Sequence, residues 1–203
     1  AEVEEVWHGL EPPYLDLFAW ADGTAERPEH GALAPFRPVM LSHPVEEADF
    51  ARMDPADYRA EWKWDGIRVQ AVSEGGVKRL YSRTGEDISG AFPDLIEAMD
   101  FEAALDGELL VIRDGAVAPF SDLQQRLNRK TVSKKQLSSF PAGLRVYDLL
   151  VEDGEDLRPL PFDERRARLE TWAARQSGPH IGLSPLIPFE RFDDLAGLRG
   201  HAE

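Results

Sequence analysis

Apolar stretches closed by short glycine-containing turns constrain this chain more than any other feature of its sequence. Ile67, Val69 and Ala71 alternate with polar residues, the period of two expected of a half-buried strand. Ser73-Glu74-Gly75-Gly76 then turns the chain into Val77–Ser82, which predicts an antiparallel hairpin. Leu105–Ile112 reads as a strand ended by Asp114-Gly115, and Leu144–Leu150 as one ended by Asp153-Gly154. Tyr58, Ala60, Trp62 and Trp64 alternate with charged residues and predict a further strand, as does Ile181–Leu186. Helices fall between: Phe92–Met99 with Pro93 in its first turn, Ser121–Arg129 opening on the capping-box spacing of Ser121 and Gln124, and Asp163–Ala174. Strands and helices mixed irregularly, with hairpin turns, specify an α+β fold of antiparallel sheets flanked by helices, not a doubly wound parallel sheet.

The N-terminal segment reads differently. Val3, Val6, Trp7 and Leu10 form one helical stripe that Glu11-Pro12-Pro13 stops, and Tyr14–Trp20 is a second aromatic-rich patch. Asp22–Gly31 is polar and rich in breakers, the signature of a linker. The expected organisation is therefore a helical segment at 1–22, a linker at 23–34 and the main domain at 35–203.

Charge narrows the function. A net charge of −15 argues against a simple electrostatic nucleic-acid binder, unless the gripping surfaces lie elsewhere in a longer protein. One island opposes the trend: between residues 126 and 135 lie Arg126, Arg129, Lys130, Lys134 and Lys135 and no acid. These are candidate contacts to a DNA backbone, with a solvated helix end and loop as the alternative. With no cysteine there is neither a disulfide nor a thiolate metal site, and the reducing cytoplasm is the expected location. The five histidines are scattered without ligand spacing, and no apolar run approaches the roughly 20 residues that span a bilayer.

Chemistry concentrates in Glu61-Trp62-Lys63-Trp64-Asp65-Gly66-Ile67-Arg68. A lysine at a strand end, followed by Asp-Gly and an arginine, gathers polar groups around one sharp turn. Gly66 would permit a backbone conformation other residues resist. Arg68 offers planar donors suited to phosphate or ribose oxygens. Lys63 could serve as an amine nucleophile where neighbouring cations or loss of water favour its neutral form. On these residues alone, a surface hairpin fits as well as a nucleophile.

Four motifs, in their order along the chain, resemble those of a family. Lys-x-Asp-Gly-x-Arg is similar to the first motif of the covalent nucleotidyltransferases: ATP-dependent DNA ligases, RNA ligases and mRNA capping enzymes. Ser82-Arg83-Thr84-Gly85, Asp106-Gly107-Glu108 and Val146-Tyr147-Asp148-Leu149-Leu150 match later motifs of that family in the same order. The flanks resemble bacterial DNA ligases in particular: Trp7-His8-Gly9-Leu10, Pro35–Leu41 and Phe120–Lys130.

This resemblance implies a nucleotidyltransferase fold, here the adenylation domain of an ATP-dependent DNA ligase. It implies that Lys63 takes up AMP, that Glu61, Arg68, Arg83 and Glu108 hold the nucleotide, and that Tyr147 stacks on adenine. ATP and Mg²⁺ are the implied cofactors, and nicked double-stranded DNA the implied partner. The family's fourth motif, with a metal-binding carboxylate, and its fifth, Lys-x-Lys, are not found after Tyr147. The chain is thus expected to be truncated before both and before an OB-fold domain, with its metal ligands unknown and little power to ligate alone. An RNA ligase or capping-type enzyme and a non-catalytic nucleotide-binding fragment are the alternatives.

Overall fold

The computed structural model describes residues 2–28, 33–129 and 131–199. The expected linker at 23–34 therefore lies partly outside the described residues. The chain divides into two compact units, Ala1–Val39 with Asp65–Leu183 and Met40–Trp64 with Ser184–Glu203. In chain order the first elements are α1 (Glu2–Trp7), α2 (Leu15–Ala21), β1 (Ala60–Glu61), β2 (Ile67–Glu74), β3 (Val77–Ser82), α3 (Pro93–Ala98), β4 (Ala103–Arg113) and β5 (Ala116–Val117). They are followed by α4 (Phe120–Gln124), α5 (Lys134–Ser139), β6 (Ala142–Glu152), β7 (Glu155–Asp156), α6 (Phe162–Ala173), β8 (Ile181–Leu183), β9 (Leu186–Ile187) and α7 (Phe192–Arg199).

The larger unit is built on a seven-stranded sheet in the order β3-β2-β4-β6-β7, with β5 paired to β4 and β8 to β6. All of these pairings are antiparallel except β6 with β8. The turn chemistry explains why. Gly75-Gly76, Asp114-Gly115 and Asp153-Gly154 all have positive φ at both residues, the backbone a two-residue hairpin turn needs to match strand twist.

One face of the sheet carries the main core. Val69, Ala71, Leu105, Leu109, Leu144 and Leu149 pack with Leu95 of α3, Met99, and Leu169 and Trp172 of α6. The opposite face carries a smaller apolar cluster that includes Ala34, Val72, Ala104 and Val151. Gln70, nearly fully buried, accepts from Arg37 N at 2.8 Å and donates to Arg37 O at 2.7 Å. Prolines at 35 and 38 cannot donate to a ladder, so the glutamine side chain does the work of a strand partner.

The smaller unit pairs β1 with β9. Its aromatic residues gather around α7, with Phe50, Phe189 and Tyr58 at 4.8, 5.8 and 6.1 Å from the Phe192 ring.

Several sequence expectations change. The strand expected from Tyr58 to Trp64 shrinks to Ala60–Glu61, and Trp64 instead anchors its indole N–H on Ser184 Oγ at 3.0 Å. The strand expected over 181–186 is split between the two units at Ser184. The helix expected over 121–129 stops at Gln124, and Asn128 takes a left-handed φ of 60°. Its capping box is not formed. The same Ser-x-x-Gln spacing operates instead at Ser133 and Gln136, which start α5.

Candidate functional site

The polar face of the larger unit's sheet is set by strand register. In the β2–β4 ladder Arg68 stands opposite Glu108 and Gln70 opposite Asp106. Alternation therefore points all four to the same side. In the β4–β6 ladder the register slips between Asp106 and Gly107: Asp106 faces Asp148, and Gly107 faces Val146. Tyr147 is the extra residue of this bulge, a device that re-aims a side chain.

Arg68 grips Asp106 through two bonds, Nε to Oδ1 at 3.0 Å and Nη2 to Oδ2 at 2.6 Å. This fork-to-carboxylate geometry fixes the guanidinium plane. The Asp106 hydrogen bond strengthens the hold of Arg68 on its proton. Burial pushes the Asp106 carboxyl upward, and its bonds to Arg68 pull it back only in part. Burial likewise raises the Tyr147 phenol, and the Asp106 charge adds to the effect. The phenol therefore stays neutral and donates toward Asp106. The Arg68 guanidinium lies 6.0 Å from the Tyr147 ring centre. Asp148, the neighbouring acid, is taken by Arg165 of α6 at 2.9 and 2.8 Å. Each carboxylate at the bulge thus has its own arginine.

Asp106 as the group that orients Arg68 escaped the sequence reading. The Asp-Gly-Glu motif marked it, but its partner lies 38 residues away and only the register brings them together.

Gly66 proves necessary for a different reason from the one expected. Its φ is not positive. A Cβ there would lie 2.4 Å from the Leu109 carbonyl oxygen and 2.9 Å from Glu108 Cγ. Only glycine lets the turn before β2 approach β4 this closely. Gly66→Ala is expected to cost about 1–3 kcal/mol through this overlap, read as a lowered denaturant midpoint; an unchanged midpoint would show that the turn can shift freely.

The other expected site residues divide between the units. Arg68, Arg83, Glu108 and Tyr147 belong to the larger one, while Glu61 and Lys63 belong to the smaller. Arg83 is exposed in the turn after β3, and Lys63 is exposed in the irregular segment after β1. A hollow of about 550 Å³ in the smaller unit is lined by Pro55, Tyr58, Leu186 and Phe189 among others, and by none of the expected nucleotide residues.

Of the basic island, Arg129, Lys134 and Lys135 are exposed, and Lys130 lies outside the described residues. Arg126 overturns its expectation as a DNA contact, because it is 0% exposed. Its guanidinium bonds Asp94 at 2.7 and 2.6 Å, the Ala91 carbonyl at 3.2 and 2.7 Å and the Phe140 carbonyl at 2.9 Å. All five donors of the group are used, so none remains for a phosphate.

Among the described residues no cluster of three or more His, Cys, Asp or Glu side chains is placed to hold a metal ion. Nor is any helix among them long and apolar enough to cross a membrane.

Residues 39–195 match the family model described as the ATP dependent DNA ligase domain. A probable DNA ligase of Koribacter versatilis is 39% identical over 140 residues, covering 66% of this chain and 24% of that protein. A DNA ligase of Archaeoglobus fulgidus is 33% identical over 168 residues, 81% of this chain and 30% of the relative. The chain thus spans only about a quarter of the length of such relatives. Among solved structures, the ligase domain of M. tuberculosis LigD superposes with a TM-score of 0.57 at 26% identity, covering 75% of this chain and 48% of that one. A mycobacterial DNA ligase D complexed with ATP and MES gives 0.54 at 29% identity, over 70% and 44%.

Proposed function

Because this chain belongs to the ATP-dependent DNA ligase domain family, we propose that it forms the nucleotide-charging part of an enzyme that seals nicks in double-stranded DNA through an AMP-lysine intermediate on Lys63. Its α+β fold is that of DNA ligase adenylation domains. The observation that carries the reading is the Arg68–Glu108 cross-strand pair, beside the bulged Tyr147, on one face of the sheet. Arg68, Glu108 and Tyr147 thereby share one surface that would suit a nucleotide: a flat ring for the base, a carboxylate for ribose hydroxyls and a fixed guanidinium for oxygens.

In the charging step, the Lys63 amine attacks the α-phosphorus of ATP. An N–P bond forms, the bond to the bridging oxygen breaks, pyrophosphate leaves and the amine loses a proton. AMP then passes to the 5′-phosphate at a nick, and the 3′-hydroxyl displaces it as the strand closes. Positioning and charge stabilisation supply most of the rate. Arg68, held by Asp106, and Arg83 orient phosphate or sugar; Glu108 binds ribose, Tyr147 stacks on adenine and Glu61 helps fix the base through its backbone. Asp65 shapes the Lys63 turn. Mg²⁺ is the expected metal, although among the described residues no group of three or more His, Cys, Asp or Glu side chains is placed to hold it. Arg129, Lys130, Lys134 and Lys135 are the proposed DNA-backbone contacts. Residues 1–22 are read as the end of a helical DNA-binding segment, residues 23–34 as its linker and 35–203 as the adenylation part. The absence of cysteine suits the reducing cytoplasm.

Base preference tests this reading against guanylylation by the same chemistry. With Mg²⁺, α-labelled ATP should label the full-length protein covalently, and α-labelled GTP should leave it unlabelled. Equal labelling by GTP would move the protein to the capping-type branch.

A further inference from the structure

β6 places a second arginine on the face that carries Arg68, Glu108 and Tyr147. Arg68 stands opposite Glu108, and Glu108 opposite Arg145, so the three residues form one row across β2, β4 and β6. Parallel pairing then sets Arg145 beside Gly182 of β8. A Cβ at Gly182 would lie 2.3 Å from Arg145 Nη1 and 3.5 Å from its Cζ. The guanidinium therefore lies low over the β8 backbone, and Arg145 is half-buried. Ile181 and Leu183, which flank Gly182, pack on the main core, so Gly182 opens to the other, polar side.

The two arginines of the row differ in their commitments. Arg68 is bonded to Asp106. Arg145, among the described residues, has no carboxylate within ion-pair reach of its side chain. That is unexpected in a chain with 38 acidic and 23 basic residues, where a partner would be easy to supply. Partly desolvating a cation costs free energy that a bound anion would offset. A planar guanidinium beside a carboxylate suited to ribose is well matched to a phosphate, because it offers paired donors.

We propose that Arg145 is a phosphate-binding residue of this site. The phosphate comes either from the nucleotide, one sugar away from the Glu108 ribose contact, or from the 5′ end of the DNA. The inference rests on the nucleotide-charging reading for the identity of its ligands.

The test compares wild type, Arg145→Met and Arg145→Lys in the full-length chain by calorimetric titration. The probes are adenosine against AMP and ATP, and nicked duplex bearing a 5′-hydroxyl against one bearing a 5′-phosphate. Arg145→Met should weaken binding of the phosphorylated probes of one pair by about ten-fold or more, the loss expected for a charged hydrogen bond. The unphosphorylated probe of that pair should change little, and Arg145→Lys should recover part of the loss. A loss confined to AMP and ATP assigns the nucleotide phosphate, and a loss confined to the phosphorylated nick assigns the DNA end. Equal loss for both members of a pair, no loss at all, or no phosphate preference in wild type would overturn the proposal. Labelling of wild-type Lys63 by ATP is scored separately. Its absence alongside a phosphate-specific Arg145 effect would remove the ligase reading and leave the phosphate site standing.

Discussion

Lys63→Ala is expected to abolish covalent labelling by α-labelled ATP, with the rate falling by about three orders of magnitude or more, as when a covalent nucleophile is removed. Lys63→Arg should be equally inactive, since a guanidinium stays protonated and offers no lone pair. The side chain is exposed and lies in the irregular stretch between β1 and β2. Its removal should therefore leave the denaturation midpoint nearly unchanged. That combination, lost labelling with intact stability, separates a nucleophile from a structural lysine. Persistent labelling of Lys63→Ala at the wild-type rate would place the nucleophile elsewhere and sink the mechanism.

Arg126→Met is expected to do the reverse: it should destabilise the larger unit severely without touching the chemistry directly. The substitution strands Asp94, whose carboxylate also accepts from Ala142 N at 2.9 Å. It also unpairs the Ala91 and Phe140 carbonyls and removes a cation 4.8 Å from the Phe92 ring centre. Breaking a buried ion pair from one side costs about 3–5 kcal/mol, or roughly 10 °C in Tm for a chain of this size. A shift of only a degree or two would mean that Arg126 is not the clamp its contacts make it.

The effect should depend on pH with a definite sign. Burial raises Asp94, but the Arg126 hydrogen bonds and the Ala142 N–H outweigh it and hold the carboxyl below its ordinary value. A depressed folded value contributes stability that is present above the unfolded value and is lost as pH falls through the folded one. In Arg126→Met the Arg126 bonds no longer oppose burial and the backbone N–H bonds remain alone against it, so protonating Asp94 relieves the variant. The gap in stability between wild type and variant should therefore narrow below about pH 4, as followed by denaturant titration.

Arg126 also shows where sequence reading runs short. It sits in a run of five cations, and local charge made it a candidate for DNA. Its partner Asp94 lies 32 residues upstream, and the Ala91 carbonyl it also bonds belongs to a turn that no local pattern announces. Tyr58–Trp64 failed for the related reason that alternation predicts extended backbone but not a pairing partner. Only β9, more than 120 residues later, supplies one, and for two residues only. The hairpins were legible because a two-residue turn with positive φ is a local matter, written in Gly-Gly and Asp-Gly.

Short windows of the chain were enough for the class of fold, the antiparallel strands and the chemical inventory: a lysine before Asp-Gly, an arginine and a carboxylate in successive motifs, an aromatic near the end. Backbone preference and residue chemistry fix such properties locally. Which groups are already engaged is a matter of tertiary contacts alone. Asp106 is engaged by Arg68 and Arg126 by Asp94, whereas Arg145 lies low over Gly182 with no acidic partner among the described residues. Engagement depends on strand register and burial, which join residues far apart in the chain, and no short window of sequence contains both members of such a pair.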